Sequence, residues 1–170
     1  MTKWLGALLV AGCGLWLGLP RTVWYTRRVE AIQEILEALS LMEWELKDRE
    51  TPLPELLSRL KQGTQGPLRD FFEDCCRLLP DLGVHTFGEI WSGAAERAQL
   101  PMSGEELMVL RGLGQVLGRY DQESQRSAIA WSRTQLTARL EEARAERDRQ
   151  GRLSGVMGGA VGLLTVLLLM

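Results

Sequence analysis

At 170 residues the chain has the length of one domain, and its 20 basic and 22 acidic residues leave a net charge of −2. No carboxylate precedes Glu30 or follows Asp148, and Lys3 is the one basic residue outside 21–152, so two hydrocarbon-like ends flank a water-like middle. The slightly acidic middle excludes nucleic acid, which needs a basic face. Three cysteines, two of them adjacent at Cys75 and Cys76, exclude a disulfide framework and fit a reducing compartment.

The first element is the uncharged run from Trp4 to Leu19. About 20 apolar residues cross the ~30 Å hydrocarbon core. With Arg21 snorkelling and Trp24 and Tyr25 at the interface, the run is long enough, so 1–25 is expected to be a transmembrane segment. Pro20 either kinks it or opens the next helix. Val10-Ala11-Gly12-Cys13 also has the form of a bacterial lipoprotein cleavage box. Its use would lipidate Cys13 and place the domain outside. The apolar run Gly14 to Leu19 and the basic residues beyond it oppose that reading.

Residues 26–152 carry no strand signal and read as an antiparallel bundle of about six helices, an all-α fold. Val29, Ile32, Leu36, Leu39, Met42 and Leu46 keep helical spacing through the first long helix. Its acidic surplus around Glu43, Glu45 and Asp48 is a candidate contact face for a basic partner. Thr51-Pro52-Leu53-Pro54 then reads as a structural hinge, with Thr51 as N-cap of the next helix and the prolines in its first turn. Gly63 and Gly66-Pro67 punctuate before a third helix over 68–79. Thr86-x-x-Glu89 and Ser103-x-x-Glu106 are capping boxes that open two more. In the second of these lies Gly114, with Gly118 as its C-cap, and Asp121 caps a last long helix through Ile129, Leu136, Leu140 and Ala143. Trp44, Trp91 and Trp131 are candidate core anchors, and any of them found exposed becomes a partner-contact candidate.

The last element, 153–170, is uncharged throughout and reads as a second, C-terminal transmembrane segment. Gly155, Gly158, Gly159 and Gly162 make two overlapping G-xxx-G spacings, a stripe where another helix approaches closely; a homo-oligomer is among the assemblies such a stripe allows. Eight arginines lie on the inner flanks of the two segments and only Lys3 lies on the outer side, which places the middle domain in the cytoplasm.

No chemistry emerges from the middle. His85 is the one histidine, and neither a nucleophile nor an orienting acid accompanies it. Adjacent cysteines on a helix point about 100° apart and match no zinc spacing. Gly112 and Gly114 follow no strand and precede no P-loop lysine. The residues assign no catalytic, cofactor or metal site, which points to a scaffold rather than an enzyme.

Four stretches together resemble the stage III sporulation protein AB family of endospore-forming bacteria. They are Thr51-Pro52-Leu53-Pro54-Glu55-Leu56-Leu57, Leu113-Gly114-Gln115-Val116-Leu117-Gly118, Asp121 with Gln125, and the ending Gly151 to Met170. That family resembles in turn the cytoplasmic domain of platform protein F of type II secretion. The resemblance implies a component of the channel between mother cell and forespore, in the mother-cell membrane. It implies a secretion-type ATPase and other membrane channel proteins as partners. Two other readings remain: a lipid-anchored external protein, decided by the fate of Cys13, and a membrane-anchored adaptor or sensor, which a deep apolar pocket in the bundle would favour.

Overall fold

In a computed structural model the helices are α1 (Thr2–Asp48), α2 (Leu53–Gly63), α3 (Gly66–Leu78), a 3₁₀ turn (Leu79–Asp81), α4 (Phe87–Arg97), α5 (Gly104–Leu117) and α6 (Gln122–Leu169). The structure describes the backbone of 2–48, 51–117 and 122–169, and the side chains of 23–47, 51–117 and 122–151. Two compact units result, one of Glu30–Glu141 and one of Met1–Val29 with Glu142–Met170. The fold is all-α; among the described residues the one β feature is an isolated bridge between Leu82 and His85.

The larger unit is built on helical periodicity. Ile32, Ile35, Leu39, Met42 and Leu46 of α1 are buried, as are Leu56, Leu57 and Leu60 of α2. These three- and four-residue steps keep one stripe turned inward. Short connections join α2 to α3 and α4 to α5, the arrangement that packs neighbours antiparallel. Trp91 of α4 sits at the centre with no exposed surface. Its ring meets Phe71 edge-on at 4.7 Å and lies 5.6 Å from Phe87. The indole N–H donates to the Leu110 carbonyl at 2.7 Å, so burial leaves no orphaned donor. Gly114 of α5 makes this possible. A Cβ there would lie 2.3–2.7 Å from Trp91 side-chain atoms.

Both capping boxes form. The Thr86 N–H donates to Glu89 Oε2 at 2.7 Å while the Glu89 N–H donates back to Thr86 Oγ1 at 3.3 Å. Ser103 and Glu106 exchange the same pair of bonds at 2.6 and 3.4 Å. Gly66 and Pro67 open α3 rather than preceding it. Gly66 adopts φ +52°, which a residue without Cβ accepts freely, and Pro67 fits a first turn, where its missing N–H has no helical partner to lose.

Three expectations need correction. Thr51 is not an N-cap: α2 begins at Leu53 behind Pro52, and no side chain caps it. Trp44 and Trp131 are not core anchors, being 45% and 58% exposed, since both sit opposite the buried stripe of their helix. Leu36, expected to share the apolar stripe of the first long helix with Val29 and Ile32, is only partly covered. Among the described residues no helix is long and apolar enough to cross a membrane, so the two-span topology finds no support there. Cys13, the glycines at 155, 158, 159 and 162, Gly118, Asp121 and nearly all of 1–25 and 153–170 fall outside the described side chains.

Candidate functional site

Two acids of the candidate contact face, Glu43 and Glu45, do not share one surface. Residues two apart on a helix point about 200° apart, so Glu43 and Glu45 leave opposite flanks of the buried stripe. Glu43 is ion-paired with Arg133 of α6. Glu45 is 1% exposed: its carboxylate accepts from Arg59 Nη1 at 2.7 Å and from Thr51 Oγ1 at 2.5 Å. Arg59 reaches Glu55 as well, also at 2.7 Å. Its hydrogen bond to Glu55, and then the field of Glu45, hold its guanidinium more firmly in the charged form. Glu45 therefore ties the end of α1 to the Thr51–Pro54 turn and α2, and it offers nothing to a partner. The Asp48 side chain is outside the described residues. The helical period puts Glu45 at the edge of the stripe, about 60° from Met42, and its burial is settled by Thr51 and Arg59 meeting it there.

A different acidic feature lies further up α1. A groove of about 310 Å³ separates α1 from the α2–α3 turn, lined by Glu34, Glu37, Ala38, Leu41, Leu60, Gly63, Thr64 and Gln65. Partial burial, and then the neighbouring carboxylates of Glu37 and Glu30, raise the Glu34 carboxyl above its usual range. The groove mixes polar and apolar walls and is not the deep apolar pocket that a small-molecule sensor would use.

The residues weighed for chemistry lie apart. Cys75 is buried, and desolvation pushes its thiol up to about 12, out of reach for a nucleophile. Burial also raises the half-buried Cys76. His85 is on an exposed loop, 3.8 Å from Glu89. Among the described residues no three His, Cys, Asp or Glu side chains gather as metal ligands. Asp74 is engaged by Arg97 at 2.7 Å and by Arg77. Burial works against its charge, and the two hydrogen bonds outweigh it, holding the carboxyl below its usual range.

What the surface does offer is apolar: Trp44, Met108 (65% exposed), Trp131 and, on the loop before α4, Val84 (83%). The structure thus defines the class of all-α helical bundles, here with half-exposed tryptophans on α1 and α6. The chain belongs to the stage III sporulation protein AB family, whose model matches residues 3–170. A solved structure of a stage III sporulation protein AB (SpoIIIAB) is similar with a TM-score of 0.66 and 24% identity, covering 72% of this chain and 98% of that one. That likeness extends to the fold. No curated protein matches the chain. The family places the protein's role in sporulation.

Proposed function

We propose that the chain is a non-enzymatic scaffold, a platform component of the secretion-like channel between mother cell and forespore. Its helical domain would face the mother-cell cytoplasm, held to the membrane by the uncharged segment at each end. The observation that carries this reading is the family match over 3–170, which takes in the apolar ends as well as the bundle. The bundle's surface supports it. Trp131 exposes more than half of a large aromatic side chain on α6, and such residues are disproportionately the anchors of protein interfaces. A secretion-type ATPase and other membrane channel proteins are the partners this reading calls for, along with further copies of the chain.

A photo-crosslinking residue at position 131, in sporulating cells of an endospore former that lacks its own family member, tests the proposal. Crosslinks to membrane proteins of the mother cell–forespore boundary or to a secretion-type ATPase are expected, with spore formation restored. Restored sporulation with crosslinks only to soluble enzymes would overturn the platform reading.

A further inference from the structure

In the smaller unit the two long helices meet at a defined level. Arg28 is 8% exposed, and its Nη1 donates to Glu146 Oε2 at 2.6 Å. The same guanidinium lies 5.6 Å from the centroid of the Trp24 ring, one turn before it on α1. Trp24 meets Tyr25 edge-on at 5.1 Å yet remains 42% exposed, with Val23 beside it at 47%. Arg27 adjoins Arg28, and Arg149 follows Glu146 within one helical turn, so the two stand at the same level on the two helices.

The acids of this unit are already engaged. Glu146 is held by Arg28, Asp148 is paired with Arg147 at 3.1 Å, and Glu142 has interactions of its own. Arg27 and Arg149 are both exposed and have no ionic partner among the described residues. On α1 no carboxylate precedes Glu30, and the uncharged runs 4–19 and 153–170 begin within about two and a half turns of this level. Two unpaired guanidinium groups and a half-exposed tryptophan thus lie close inside the border between charged and uncharged sequence, which Arg21 and Arg152 themselves form. Guanidinium groups take phosphate oxygens in bidentate fashion, and tryptophan prefers the headgroup depth.

We propose that Arg27 and Arg149, with Trp24, form a collar that binds the headgroups of anionic phospholipids. The collar rests on the reading that the two uncharged ends enter a bilayer. Each arginine near an anionic leaflet strengthens attraction roughly fivefold.

The test uses the full chain. Its integration into vesicles of phosphatidylcholine alone, judged by flotation after alkaline wash, checks the bilayer reading by itself. The chain is then placed in nanodiscs of equimolar phosphatidylcholine and phosphatidylglycerol, and the lipids it retains are counted by mass spectrometry. The wild type is expected to retain phosphatidylglycerol several-fold over phosphatidylcholine. Arg27→Gln with Arg149→Gln should retain the two about equally, whereas Arg69→Gln, an exposed arginine of α3, should keep the preference. Excess inorganic phosphate should not abolish the preference; if it does, the site takes a free anion and the lipid assignment is wrong. Failure to integrate would remove the bilayer reading and the collar together. Integration with no lipid preference, or a preference that survives the double substitution, would overturn the collar alone.

Discussion

A carboxylate as buried as Glu45 survives in this bundle because two donors meet it, the Thr51 hydroxyl and the Arg59 guanidinium. Removing one donor leaves a buried acceptor short of a partner, which costs more than a lost helix cap. Thr51→Ala is therefore expected to destabilise the bundle by about 1–3 kcal/mol, measured by urea unfolding, with Thr51→Ser recovering most of the loss. Equal stability of wild type and alanine variant would show that the hydroxyl is idle. A second residue-scale expectation concerns Glu34. Its carboxyl titrates higher in the folded chain than in the unfolded one, so the folded state is penalised as pH rises above about 4.5 and through the raised value. Glu34→Gln should raise the urea midpoint at about pH 7, and the gain should vanish by about pH 4. A gain that persists in acid would have another cause. Neither behaviour was legible from the residues, because Glu34, Glu43 and Glu45 look alike in sequence. Which one turns inward is decided by where α2 returns against α1.

At the scale of the element, legibility was high wherever a local rule acted alone. The apolar spacing located the buried stripe of α1, and both capping boxes form where Thr86, Glu89, Ser103 and Glu106 announced them. Thr86→Ala should lower stability by about 1 kcal/mol, the ordinary effect of a lost N-cap. Legibility failed where a side chain needed knowledge of its neighbours. Gly114 reads as one more small residue in α5, yet a Cβ there would strike Trp91. Gly114→Ala should therefore be worse than glycine-to-alanine changes elsewhere in helices, which usually stabilise. A loss of roughly 1–3 kcal/mol is expected against a small gain for Gly112→Ala, whose surroundings are open. Comparable effects at the two positions would contradict the close α4–α5 approach.

At the scale of the molecule, the composition split was the strongest sequence signal, and it is the one the described side chains leave aside. Topology can be decided directly. Cysteines introduced at Thr2 and after Met170 are expected to react with an impermeant thiol reagent applied to intact cells, and one introduced at the exposed Gln62 is not. Reaction at Gln62 alone would invert the assignment. The family was legible in the sequence because Thr51–Leu57 and Leu113–Gly118 are contiguous strings. The interaction surface was not, because burial of Glu45 and exposure of Trp131 depend on tertiary packing that no single helix period encodes.

The unequal burial of the tryptophans has an optical consequence. Trp91 is sealed among Phe71, Phe72 and Phe87 with its N–H bound, while Trp44 and Trp131 face solvent. The fluorescence of the bundle is thus a sum of blue-emitting and red-emitting populations that respond to different events. Acrylamide should quench the red component of the folded protein selectively. Docking of a partner over α6 should shift that component toward the blue and shield it, while the Trp91 signal stays constant until the core itself opens.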